Sequence, residues 1–333
     1  MTRSRRPLVA MLALCSHLWA ASALADSKPD VWARAKEPSV GAQARLHREV
    51  SGWRRTASAT RSFGEVVLLR VRETLERADV EHTGDARLRF DLGIVYEELG
   101  LYNDAVRVLE AALTLAPEHP LADDAYWHLA LSYAKLDQPA LERATYLRFL
   151  AHATSPEQRG VASLNLAETE MRLGRLGDAI AAYRAAMDGA KRLPTAWNNY
   201  VLAQWGLVVA LDRYGDARAA QREAEVAMRL DPGKRSISDT EKTFFVPAYE
   251  RSWYLALGDA AQARMARDAR AALRFAEQAE SHFADYVARA TERDRWRELA
   301  VRRLAAAKKE RLRLVKKVRA TPAPARDAED PVF

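Results

Sequence analysis

The chain of 333 residues carries 52 Lys and Arg against 45 Asp and Glu, a formal net charge of +7, and one cysteine. A lone cysteine excludes a disulfide framework, so stability must come from packing. Helix formers such as Ala, Leu, Arg and Glu are abundant and β-branched residues scarce, which favours helices over strands.

The opening stretch, MTRSRRPLVAMLALCSHLWAASALADSKPD, has the order of a secretory signal peptide. Arg3, Arg5 and Arg6 precede an apolar run from Leu8 to Trp19, and Ala23-Leu24-Ala25 forms a small-x-small cleavage sequence before Asp26. Ser16 and His17 interrupt the run, which is shorter than the roughly 18 apolar residues of a membrane span. Leu14 stands where a lipoprotein box before Cys15 takes a small residue. Ser4-Arg5-Arg6 leaves a twin-arginine route open beside the general secretory one. The expectation is export with cleavage after Ala25, to the periplasm or envelope of a bacterium, as a mature chain without a thiol. Residues 26–39 read as a disordered linker. Residues 40–85 read as an N-terminal helical cap, with helices near 41–57 and 63–79.

Four hairpins follow over residues 86–234. Counting from Ala86 puts Leu92 and Gly93 at places seven and eight, Tyr96 at eleven, Ala105 at twenty, Leu109 at twenty-four, Ala112 at twenty-seven and Pro117 at thirty-two. Small residues at such places let two helices cross closely, large ones fill the space between them, and the proline stops the second helix. Frames starting at 123, 160 and 201 keep the phase. The first of these has Leu129-Ala130, Tyr133, Tyr146 and Phe149, with Glu142 in the small place; the next has Leu166-Ala167, Gly174, Ala179, Tyr183 and Ala186; the last has Leu207, Gly215, Ala220, Ala224, Ala227 and Pro232. Turns are expected near Gly100, Asp137, Gly174 and Gly215. Ser155-Pro156-Glu157-Gln158 reads as an N-cap, a proline at the first helical place and a capping-box partner.

Residues 235–290 read as a degenerate fifth hairpin and a long helix. Ser238 and Glu241 suggest a cap, Val246-Pro247 an extended entry, "AYERSWYLALGD" a first helix with Gly258 at its turn, and 260–290 one continuous helix. Residues 291–319 read as a basic C-terminal helix. Between Thr291 and Arg319 twelve basic residues stand against four acidic ones, so the basicity of the chain belongs to this segment. Residues 320–333 read as a disordered tail.

The repeated phase resembles the tetratricopeptide repeat. That resemblance implies an all-α, right-handed α-solenoid of helical hairpins with helical caps, acting as a scaffold that binds a protein or peptide in its concave groove. In such repeats the first helices line the groove at places two, five, nine and twelve. The resemblance thereby selects Arg87, Phe90, Ile94 and Glu97, then Asp124, Trp127 and Leu131, then Leu164 and Glu168, then Leu202, Trp205, Val209 and Asp212. Phe90, Trp127 and Trp205 share place five and are expected as an aromatic row of partner anchors, with space-filling as the competing role. Phe90 and Ile94 stand where a carboxylate clamp would need Lys and Asn, so capture of a chaperone tail is unsupported.

Signatures of chemistry are missing. The sequence has no glycine-rich phosphate loop, no Gly-x-Ser-x-Gly elbow and no His-Glu-x-x-His, and its histidines lack ligand spacing. Asp123-Asp124 and Asn198-Asn199 sit at expected helix starts, where capping explains them. The expectation is therefore a chain without catalysis, metal or cofactor, with an enzyme or metal protein bearing an unrecognised site as the alternative. The basic C-terminal helix could dock on an anionic membrane surface, whereas nucleic acid is not expected as a partner of an exported chain without interleaved aromatics.

Overall fold

The computed structural model describes residues 40–60, 63–191, 193, 196–239, 243 and 245–320, and its regular elements are all helical. The expected signal peptide, the 26–39 linker and the tail beyond Ala320 lie outside the described residues. The helices in chain order are α1 (Val40–Ala59), α2 (Gly64–Arg77), α3 (Ala86–Glu98), α4 (Tyr102–Leu115), α5 (Ala122–Lys135), α6 (Pro139–His152), α7 (Pro156–Arg172), α8 (Leu176–Ala190), α9 (Trp197–Tyr214), α10 (Ala217–Leu230), the short α11 (Arg235–Ser238), α12 (Glu250–Met265), α13 (Ala269–Arg289) and α14 (Arg297–Ala320). A 3-10 turn at Val80–His82 follows α2. The chain divides into two compact units, Met1–His128 and Leu129–Phe333, and the division falls within α5.

In the first unit α1 packs on α2 and α3, and α3 on α4. Asp85 starts α3 by accepting the Arg87 backbone N–H at 2.9 Å, satisfying one of the donors a helix start leaves unpaired. Leu88, Leu92 and Val95 of α3 meet a core to which α4 contributes Ala105, Leu109 and Ala112, all fully buried. A Cβ at Gly93 would lie 2.6 Å from the Leu109 side chain. Place eight is small because the helices of this hairpin touch there.

In the second unit each helix from α6 to α10 packs on the next, so every hairpin buries its apolar face on its neighbours, as a solenoid requires. The four expected turn residues all take left-handed backbone conformations, with φ of +75° at Gly100, +54° at Asp137, +76° at Gly174 and +97° at Gly215. Asp137 tolerates this conformation better than most residues, and its carboxylate also accepts the Arg172 guanidinium at 2.7 Å. Ser155 caps α7 through the Gln158 N–H, with Pro156 at the first helical place. Glu142, the large residue in a small place, is buried but satisfied: its carboxylate accepts Thr169 Oγ1 and Arg172 Nη1, each at 2.7 Å.

Three expectations for the C-terminal part are corrected. Gly258 is not a turn residue: α12 runs through it to Met265, and a Cβ there would lie 3.1 Å from the Trp205 ring, so the glycine makes room for an indole. The helix expected over 260–290 is broken instead at Ala266–Asp268, where the Asp268 carboxylate accepts the Ala271 N–H at 2.8 Å and starts α13. Ser238 ends α11 rather than capping a helix, and its suggested partner Glu241 lies outside the described residues. Beyond α10 the chain continues as a stack, with α10 on α12, α12 on α13 and α13 on α14, while α12 also packs against α9.

Candidate binding groove and the buried polar cluster beside it

The residues expected to line a concave groove divide between core and surface. In the first unit Phe90 and Ile94 are buried, the Phe90 ring 5.5 Å from that of His119. Arg87 folds back on Asp85 (2.6 Å), and Glu97 accepts His128 Nδ1 at 2.8 Å. Asp124 is exposed and Trp127 half-buried. In the second unit Leu131 and Leu202 are half-buried, and Leu164 and Val209 are buried. Trp205 is fully buried, its Nε1 donating to Asp231 at 3.3 Å. The expected row of exposed aromatic anchors is therefore corrected at Phe90 and Trp205. Both are core side chains, because neighbouring residues close over them.

Glu168 and Asp212, expected to line the groove, are engaged by the chain itself. Asp212 is buried; its Oδ2 accepts Trp253 Nε1 of α12 at 3.1 Å, and its Oδ1 lies 2.9 Å from Arg303 Nη2 of α14. The adjoining Arg213 donates from Nη2 to Glu250 at 2.6 Å, and its guanidinium lies 4.4 Å from the Trp253 ring and 4.9 Å from that of Trp296. Tyr286 Oη lies 3.1 Å from both Glu250 Oε1 and Asp294 Oδ2, and Tyr249 donates to Asp294 at 2.8 Å. Glu168 accepts Tyr254 Oη at 3.4 Å. Burial pushes the Glu168 carboxyl up to about 7, with the nearby Glu250 charge adding to the effect. Burial works against the charge on Arg213, but the Glu250 carboxylate outweighs it and raises the pKa. This cluster ties α12–α14 to α9.

A groove of about 450 Å³ opens on the other side of Asp212. Its walls are mostly small, with Ala220 and Ala224 of α10, Ala260 and Ala263 of α12, Ala276 and Ala279 of α13 and Ala306 and Ala307 of α14, while Leu257 of α12 and Phe283 of α13 are the larger apolar side chains. Arg264, Arg303, Glu310 and Arg313 are its charged groups together with Asp212. Arg303 is held by Asp212 and Arg313 by Glu310. Arg264 has the loosest pairing, 3.7 Å from Glu225, and burial lowers its pKa. Of the expected groove residues only Asp212 lines this one. The alanines were visible in the sequence, as at Ala272, Ala276 and Ala279, but their spacing does not say which helices face each other. Among the described residues no group of three or more His, Cys, Asp or Glu could hold a metal ion.

Residues 86–119 match the family model described as Tetratricopeptide repeat. The match covers the first hairpin of the series, which is therefore a tetratricopeptide repeat, and the hairpins that follow share its left-handed turns; such a fold supports a scaffold for protein–protein interaction. Among solved structures the chain is similar to a MamA fragment from Desulfovibrio magneticus RS-1 (19% identity, 56% of this chain and 96% of that one, TM-score 0.45). It is also similar to YrrB, described as a TPR protein with an unusual peptide-binding site (18% identity, 57% and 91%, TM-score 0.45). A third is the C-terminal part of a TPR repeat-containing protein from Cytophaga hutchinsonii (15% identity, 80% and 95%, TM-score 0.46). No curated protein matches the chain.

Proposed function

We propose that the chain is an exported, non-catalytic scaffold that holds a peptide segment of a protein partner in the alanine-lined groove of its second unit. The observation that carries this reading is the groove itself: small apolar walls about 450 Å³ in extent, edged by the incompletely neutralised Arg264. Alanine walls admit a backbone at close range and leave room for apolar side chains from the partner, while a carboxylate near Arg264 would meet a guanidinium already partly stripped of water. The titratable groups of the neighbouring cluster bind one another, which favours a structural role for them over a catalytic one. Export rests on the order of charges and apolar residues in the first 25 positions; N-terminal sequencing of secreted material should read from Asp26, and retention of residues 1–25 would refute it.

The groove is tested with a peptide array that varies apolar and acidic residues, followed by fluorescence anisotropy on the best binders. Ala263→Phe should fill the groove and abolish binding without a large change in melting temperature. Arg264→Glu should weaken acidic peptides by roughly tenfold or more, the scale of losing a charge-assisted hydrogen bond. Unchanged binding in both variants would place the peptide elsewhere.

A further inference from the structure

We infer that the outward face of α14 is a docking surface for an anionic lipid bilayer. The helix is 24 residues long, about 36 Å, and it sorts its charges by direction. Ala300 and Leu314 are buried, and the inward cations are paired, Arg303 with Asp212 and Arg311 with Glu280. Arg302, Lys308, Lys309, Lys316 and Arg319 are exposed and make no hydrogen bond or ion pair with any described residue. At about 100° per residue these five lie within roughly one third of the helix circumference. Val301 and Leu312 fall inside the same arc and are 44% and 47% exposed.

A row of unpaired cations repels itself, and the one carboxylate on the same arc, the exposed Glu298, stands at the N-terminal end of the helix away from the lysines. Apolar side chains set among those cations match a surface with phosphate charge above hydrocarbon. Nucleic acid fits less well: the arc carries no aromatic ring on which a base could stack, and it would leave Val301 and Leu312 unused. No described helix is long and apolar enough to cross a membrane, so α14 would lie along the surface. The groove-lining Arg303, Ala307 and Glu310 sit on another side of α14, with Ala306 and Arg313 at the border between the two faces. This inference stands independently of the groove.

The test is co-sedimentation of the full chain with vesicles of phosphatidylcholine alone and of phosphatidylcholine mixed with phosphatidylglycerol. The readout is the difference between the two, which removes uncharged contributions from the apolar N-terminal run. Binding to the mixed vesicles should exceed binding to the neutral ones and fall steeply with salt. Each cation brought to the surface is worth about fivefold, so Lys308→Gln/Lys309→Gln/Lys316→Gln should lose on the order of a hundredfold. Because these side chains are unpaired, the triple variant should keep the helical circular dichroism and melting temperature of the parent. Leu312→Ser should weaken binding further while leaving its salt dependence in place. Equal binding to both vesicles, equal binding by the triple variant, or tighter retention on duplex DNA than on vesicles at the same salt would each overturn the inference.

Discussion

Glu168 couples the stability of the second unit to pH. In the folded chain its carboxyl holds the proton up to about pH 7, chiefly because burial disfavours the charge, whereas the ordinary value is 4.5. Below pH 4.5 both states are protonated and the residue costs nothing. As pH rises toward 7 the unfolded chain ionises first, so this contribution to stability is lost across that window and stays lost above it. Glu168→Gln should accordingly be more stable than the parent at pH 8 by ~2 kcal/mol and nearly equal to it at pH 5, measured by urea unfolding at the two values. Trp205 makes a contrasting case. Its indole is fully buried among α9 and its neighbours, so Trp205→Ala should cost about 3–5 kcal/mol in the same assay. Place five told the sequence reader that an aromatic was there, but a shared place in the repeat says nothing about what lies on the far side of the ring. Here Asp231 and the bare backbone of Gly258 do.

Among elements, the hairpin turns were the most legible part of the chain, because a left-handed residue has few chemical options and glycine is the main one. Two glycines separate backbone strain from crowding. At Gly215, φ is +97° and a Cβ would meet nothing within 4 Å, so Gly215→Ala should lower stability by ~1 kcal/mol through conformation alone. At Gly206 a Cβ would lie 2.1 Å from the Tyr183 ring, so Gly206→Ala must displace a buried aromatic and should cost about 1–3 kcal/mol. Calorimetric melting of the two variants should therefore rank Gly206→Ala as the more damaging, and the reverse order would mean that α8 and α9 are not in this register. The C-terminal elements were less readable. Gly258 reads as a turn from its neighbours in sequence, yet the indole it accommodates belongs to a helix more than forty residues earlier. The break at Ala266–Asp268 was signalled only by an aspartate among many charged residues.

For the molecule as a whole, the second unit uses its own C-terminal helices to cover the face of α9 that the repeat pattern assigned to a partner. Asp212, Arg213 and Glu168 were visible as polar residues on a helix, but their engagement by α12–α14 depends on contacts up to ninety residues away and could not be read from spacing. Ending the chain after Arg293 would remove α14, leave Asp212 without Arg303 and open one wall of the groove. Such a truncation should melt at a lower temperature and lose the peptides selected on the full chain, and full retention of both properties would show that α14 is dispensable to this face. The guanidinium of Arg213 gives the attachment an optical signature. It lies between the indoles of Trp253 and Trp296, which reach it from α12 and from the entry to α14. Any event that lifts these helices off α9 hydrates both indoles at once and shifts their emission to the red. The protein thus carries an intrinsic fluorophore pair at its own docking seam, and release of the C-terminal helices can be timed in a stopped-flow instrument without a label.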